Sequence, residues 1–316
     1  MHVSVLLSEV IELMDIRSGG SYIDGTIGFA GHARRILEQA GATGRLLGID
    51  KDSQALQAAE KVLQGAPGQW KLAHGGHGEL TRLAHENDFD EVDGILLDLG
   101  VSSWQLDNAE RGFSFMRDGK LSMRMDAAND GLDAARMLAS FDDDELTEIF
   151  RRYGEEPRAR RIARAIVKAR EIRPITSTLQ LAEIVSAAVG RNSSRHPATR
   201  VFQALRMYVN AEIEELKKAL ADGLDLLRPG GRMAVISFES LTDRIVKQHF
   251  ATHAGRWISL QQGGERWEGS IPPVKRITRK PVEAGFEEVK RNPRARSARL
   301  RVVERIAEVP RSRNGL

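Results

Sequence analysis

The chain has no cysteine. That removes any disulfide framework and any thiolate metal site, and it excludes mechanisms built on a cysteine nucleophile, the usual covalent methylation of cytosine C5 among them. Also missing is any run approaching the roughly 18 to 20 apolar residues that span a bilayer. The stretch from Met1 to Met14 has no basic segment ahead of its apolar residues, as a secretion signal would. A cytoplasmic chain with no membrane partner is therefore expected. Internal repeats and low-complexity tracts are absent as well, which argues against solenoids and linkers.

At 316 residues with 41% apolar content, the chain can bury a full α/β core and carry a second unit of about a hundred residues. Its formal net charge of +3 is unevenly spread: residues 151–206 hold 13 Lys/Arg against 4 Asp/Glu, and residues 272–316 hold 13 against 5. Positive charge is gathered where a polyanion could be gripped, although two solvated helical faces would give the same counts.

The first half alternates strand-like runs (Ser21 to Asp24, Arg45 to Asp50, Val92 to Leu99) with helical patterns (His32 to Ala40, Ser53 to Leu63). This βαβαβ order predicts a parallel sheet. Strand character returns at Arg232 to Phe238, after Pro229-Gly230-Gly231, and at Ser297 to Val303. Between them, apolar residues at three- and four-residue spacing predict helices over Asp142 to Tyr153, Pro157 to Glu171, Thr178 to Ala188 and Ala198 to Leu227. Ser193 to Pro197 and Gly263 to Pro273 read as loops. The expected organisation is an α/β domain in two parts, residues 1–107 and 215–316 with a basic C-terminal segment, interrupted by a helical substrate-recognition subdomain over 108–214. Arg158, Arg160, Arg161, Arg164 and Lys168 fall on more than one helical face, so some are solvated while others could reach phosphate.

The first strand ends in Asp24-Gly25-Thr26-Ile27-Gly28-Phe29-Ala30-Gly31-His32, a G-x-x-G-x-x-G spacing preceded by an acid. A dinucleotide site would want G-x-G-x-x-G for close approach to a pyrophosphate. A cofactor with no phosphate but a sulfonium cation and an amino acid tail, S-adenosylmethionine, suits a Gly-rich turn beside carboxylates better. Asp50 closes the next strand, where an acid can accept ribose hydroxyls, and Asp98 closes the third, so three acids end neighbouring strands. Each alone could equally be a helix cap or a solvated loop acid. His74-Gly75-Gly76-His77 offers two histidines without a third ligand, so no metal is expected.

The run Gly94-Ile95-Leu96-Leu97-Asp98-Leu99-Gly100-Val101-Ser102-Ser103, with Gln105-Leu106-Asp107 and Glu110 to Gly119 after it, closely resembles the bacterial MraW/RsmH family. The likeness continues through Leu121 to Asp126, Tyr153 to Glu156, Arg161 to Ile166, His196 to Arg200, Phe202 to Arg206 and Asn292 to Ser297. It implies a Rossmann-like class I S-adenosylmethionine-dependent methyltransferase sheet with an inserted helical subdomain, methylating cytosine N4 in 16S rRNA of the small ribosomal subunit. By position, the implied cofactor contacts are Ala30, Gly31, His32, Asp50, His77, Asp98 and Gln105. A local hydrogen bond at a helix start is the plainer reading of His32. The chain departs from the family's usual pattern at Ile27, Phe29 and Ala30 (Phe, Arg and Gly), His77 (an aromatic), Trp104 (Pro), Ser122 (Asp), and Glu239 and Thr242 (His and Glu). Ala30 adds a methyl where a backbone approach could be needed, and the missing Arg and His could otherwise hold the cofactor tail or the RNA.

Methylating an exocyclic amine requires acceptors that hold its hydrogens, and Asp98 with the Leu99 to Ser103 loop, Ser102 included, is the candidate catalytic group. Orientation would supply most of the acceleration. Glu239 reads as a second acceptor or, with slight preference, a solvated loop acid. Phe113, Phe115 and Trp104 could stack on an unpaired base or pack as core. The basic insertion and the stretch from Lys290 to Arg301 would hold the RNA backbone. Partners expected are 16S rRNA and, as an open alternative, a second copy in a homodimer. Rival readings are a non-catalytic RNA-binding relative, a nicotinamide-dependent oxidoreductase on a similar sheet, and a DNA amino-methyltransferase.

Overall fold

The computed structural model describes residues 4–190, 196–260 and 264–307. Among these, ten strands form: Ser21–Asp24 (β1), Arg45–Asp50 (β2), Gln69–His74 (β3), Val92–Asp98 (β4), Leu227–Ser237 (β5), Arg256–Ser259 (β6), Glu265–Glu268 (β7), Val274–Arg276 (β8), Val282–Glu283 (β9) and Arg299–Arg305 (β10). Eight make one sheet in the order β3-β2-β1-β4-β5-β10-β8, with β9 also on β10. From β3 to β5 the neighbours are parallel, and β10 runs antiparallel to β5. The strand order reverses between β1 and β4, the place where open α/β sheets bind ligands at the carboxyl ends of their strands.

Central parallel strands are covered on both faces, so their sequences are continuously apolar rather than alternating. Ile95, Leu96 and Leu97 of β4 and Tyr22 and Ile23 of β1 are fully buried accordingly. The helix Gly31–Ala40 buries Ala33, Ile36, Leu37 and Ala40, one stripe at helical spacing, against the sheet's core.

The chain divides into two compact units, residues 1–100 with 215–316, and residues 101–214. The second unit contains the helices Ala134–Ser140, Asp143–Arg152, Ala159–Ile172, Thr178–Val189 and Thr199–Val209. Reciprocal caps start two of them, Asp142 with Glu145 and Ser177 with Gln180.

The expected single helix from Ala198 to Leu227 is instead two, Thr199–Val209 and Glu212–Leu226. Asn210 stops the first: its side chain accepts from Met125 N–H at 2.7 Å and donates to the carbonyls of Met123 and Arg206, and Ala211 turns left-handed at φ 51°. β5 starts five residues earlier than expected, taking in Pro229-Gly230-Gly231 where its pairing with β4 shifts register. β10 begins at Arg299 rather than Ser297, because Pro293–Ser297 forms a 3₁₀ turn. Within the stretch read as a loop from Gly263 to Pro273, residues 265–268 form β7 on β6; Gly263 lies outside the described residues, as do Ser193 to Arg195. No helix of the described residues is long and apolar enough to cross a membrane.

Part of the insertion's positive charge is engaged internally, while Arg151, Arg161, Lys168 and Arg173 stay exposed. Arg206 and Glu212, each about one-tenth exposed, form a bidentate pair at 2.8 and 2.9 Å. Arg158 and Arg170 donate to backbone carbonyls, while Arg160 and Arg164 pair with Asp144 and Asp143. Arg206, Arg158 and Arg170 are thereby spent, whereas the exposed pairs of Arg160 and Arg164 are weak enough to yield to phosphate.

Candidate functional site

The carboxyl ends of β1, β2 and β4 bring Asp24, Asp50 and Asp98 to one end of the sheet. Thr26 ties two of these strand ends together: its amide donates to Asp24 Oδ1 at 3.2 Å, and its Oγ1 accepts the Asp98 amide at 2.6 Å. Asp50 anchors the turn between β1 and the following helix, since its Oδ2 accepts from Gly28 N–H and its Oδ1 from Asp52 N–H, both at 2.9 Å.

Burial raises all three acids. It pushes Asp24 up to about 8, against a lowering bond from the Thr26 amide and with help from the charges of Asp98 and Asp50. It takes Asp98 to about 7. Asp50 reaches about 6, burial again outweighing the two amides it accepts. Asp98 Oδ1 is buried with no hydrogen-bond partner, although the side chain as a whole keeps 26% exposure. Three carboxyl groups held so high form an environment that a bound cation would relieve.

His32, in the first turn of Gly31–Ala40, is 5% exposed and places Nε2 2.9 Å from the Val5 carbonyl. A carbonyl only accepts, so Nε2 carries the proton, and Nδ1 is turned toward Asp98 Oδ2 at 3.8 Å. The bond of His32 is not the local one that the plainer reading gave it, since Val5 lies 27 residues away, and the ring's other nitrogen faces the acid. The helix starts from Ala30, fully buried and left-handed at φ 58°. Gly31 packs against Ser4: a Cβ there would lie 2.0 Å from Ser4 Oγ, so that hydroxyl would have to turn aside.

His77 opens the turn after β3. Burial, then the charge of Lys51, lowers its imidazole to about 4, so the ring is neutral. Its Nδ1 lies 3.9 Å from Glu215 Oε2, and Glu215 Oε1 is clasped by Lys51 Nζ at 2.6 Å. The ring's Nε2 is buried without a partner. His74 instead points its Nε2 at the Lys51 carbonyl at 2.8 Å.

Ser102 and Gln105 belong to the second unit, where they cap the helix Ser103–Asp107 reciprocally: Ser102 N–H donates to Gln105 Oε1 at 3.0 Å and Gln105 N–H to Ser102 Oγ at 3.2 Å. Phe113 is buried core at 7% exposure. Phe115 is half-buried against His196 and Phe202, and Trp104 lies under the Arg111 guanidinium at 5.0 Å.

Glu239, just past the end of β5, is not the solvated loop acid that the sequence slightly favoured: it is half-buried and its Oε2 is shut off from water. Beyond it, Thr242 donates its hydroxyl to the Glu239 carbonyl at 2.9 Å, and Asp243 holds Arg301 at 2.6 and 3.1 Å. Thr26, Lys51 and Glu215 were not singled out in the sequence. Thr26 lay in plain view inside the glycine-rich turn, whereas only the fold brings Glu215 to His77.

The sequence matches the model of the MraW methylase family over residues 1–306. A ribosomal RNA small subunit methyltransferase H from Syntrophotalea carbinolica is 49% identical over 308 residues, covering 96% of this chain and 98% of that one. Proteins of the same name from Citrifermentans bemidjiense and Shewanella amazonensis are 46% and 45% identical, each over 96% of this chain and over 98% and 97% of their own lengths.

Proposed function

Because the chain belongs to the MraW methylase family, we propose that it uses S-adenosylmethionine to methylate the N4 amino group of a cytosine in the decoding region of 16S rRNA. The observation that carries this reading is the set of raised acids Asp24, Asp50 and Asp98 around the switch point of the sheet. The donor set fits the cofactor: carboxylates suit its sulfonium and ammonium charges, and Asp50, with both oxygens already accepting an amide, keeps lone pairs for ribose hydroxyls. His32, Ala30 and Gly31 would line its amino acid end and His77 its base.

When bound, the cofactor supplies a methyl group on a positively charged sulfur. The amine of cytosine is a poor nucleophile because its lone pair is delocalised into the ring. Asp98, with an unpartnered Oδ1, is the acceptor that can hold the amine hydrogens and turn that lone pair outward. As the new N–C bond forms, the nitrogen must lose a proton, and a carboxylate near 7 can take it at neutral pH. Thr26 holds the Asp98 backbone in place, so that positioning supplies most of the acceleration.

Small ribosomal subunits lacking the modification, incubated with methyl-labelled cofactor and digested to nucleosides, test the reading. Label in N4-methylcytidine supports it. Label in another nucleoside overturns the position, and cofactor binding without transfer favours the non-catalytic relative.

A further inference from the structure

The stretch between β7 and β10 carries a feature that the methyl-transfer site does not use. β8 and β9 both pair with β10 on the edge away from β5, β8 against Val303–Arg305 and β9 against Arg299–Leu300, so residues 274–283 run along that side of the sheet. The helix Phe286–Arg291 and the turn Pro293–Ser297 follow directly. Residues 274–298 contain 8 Lys/Arg and 3 Asp/Glu. All eight cations are exposed: Lys275, Arg276, Arg279 and Lys280 before β9, and Lys290, Arg291, Arg294 and Arg296 after it. Amid them Phe286 leaves its ring in water at 79% exposure.

We propose that this segment is a docking surface for single-stranded RNA, with Phe286 as the ring on which a base stacks. The inference rests on the RNA-methyltransferase reading only for why such a partner would be present. Grooves for single-stranded nucleic acid combine cations that track phosphates with aromatic rings that take any base by its face. Here the two occur together, and Lys275, Arg276, Arg279, Lys280, Lys290 and Arg296 form no ion pair with another described residue.

Edge protection accounts for only part of the pattern. Cations on an edge strand deter pairing with other chains, which covers Lys275 and Arg276. It does not cover the four cations beyond β9, and an exposed phenylalanine invites association. An anionic membrane is the poorer fit, because a helix of 6 residues with a single exposed apolar side chain offers no apolar face to insert.

The test uses the full chain, a labelled single-stranded oligoribonucleotide of about 20 nucleotides, enough to span one such groove, and the variants Phe286→Ala and Lys290→Ala/Arg291→Ala. Phe286→Ala is expected to weaken binding at least fivefold without changing its salt dependence. The double variant is expected to lower the slope of log affinity against log salt by about 1.4, two single-strand phosphate contacts. Binding by both variants within twofold of wild type, with an unchanged slope, overturns the proposal. So does binding to phosphatidylserine vesicles that Phe286→Ala abolishes. Calorimetry with S-adenosylmethionine on the same samples separates the two readings: failure to bind cofactor sinks the methyltransferase reading alone, while RNA binding indifferent to these variants sinks the docking surface alone.

Discussion

The hydroxyl of Thr26, two residues past β1, accepts the backbone N–H of Asp98, the last residue of β4, at 2.6 Å across the point where the strand order reverses. Replacing Thr26 by Val keeps the shape and removes the acceptor, leaving a part-buried amide unpaired at a cost of about 1–3 kcal/mol. Chemical denaturation should show that loss. Calorimetry should show weaker cofactor binding, and Thr26→Ser should restore both.

The raised acids give stability a definite pH dependence. An acid whose folded pKa lies above its unfolded value binds more protons in the fold, so stability is highest at low pH and is lost as pH rises toward the folded value. Asp50, Asp98 and Asp24, at about 6, 7 and 8, place that loss between about pH 4 and 8. Thermal melts without cofactor should fall over this range, Asp98→Asn should flatten the fall, and added S-adenosylmethionine should raise the midpoint more at pH 8 than at pH 6.

Ala30 holds a left-handed conformation at φ 58°, which strains a side chain by about 1–2 kcal/mol. Relief of that strain by glycine is opposed by about 0.4–1 kcal/mol of freedom in the unfolded chain and about 0.8 kcal/mol for the fully buried methyl, so Ala30→Gly should change stability by less than about 1 kcal/mol. Urea unfolding of Ala30→Gly checks the magnitude.

His77 carries a buried, unpartnered Nε2 and a folded pKa of about 4. A histidine lowered in the fold is charged more readily in the unfolded chain, so it subtracts stability as pH falls from about 6.5 toward 4. His77→Phe should gain about 2 kcal/mol at pH 5 by removing that acid-side loss, and about 1 kcal/mol at any pH by ending the burial of a polar atom without a partner. Melts at pH 5 and pH 7.5 would show it, with the gain confined to the lower pH if charging dominates and present at both if desolvation does.

What the sequence disclosed follows how local each signal is. β1, β2 and β4 were legible because strands buried on both faces are continuously apolar, and their terminal acids could be read off as neighbours. β3 was missed because an edge strand with Gln69 and Lys71 facing out has too little apolar character to stand apart from a loop. The break at Asn210 was hidden because its partners, Met123 and Met125, lie 85 or more residues away. The same holds at the site: Asp98 and His32 were visible as residues, but their 3.8 Å approach depends on Val5 holding the far side of the ring. The charge count alone could not sort the insertion's cations, since sequence cannot tell Arg170, spent on carbonyls, from Arg161, left in water.

The most direct test compares methyl transfer by wild type and Asp98→Asn, with cofactor occupancy and melting temperature measured on the same preparations. Asn keeps the size of the group and removes the charge and the proton acceptor. The account predicts a folded variant whose transfer to small ribosomal subunits falls at least a hundredfold at saturating cofactor, about 2.7 kcal/mol at the transition state. Transfer within threefold of wild type would contradict the role of Asp98 at the centre of the reaction.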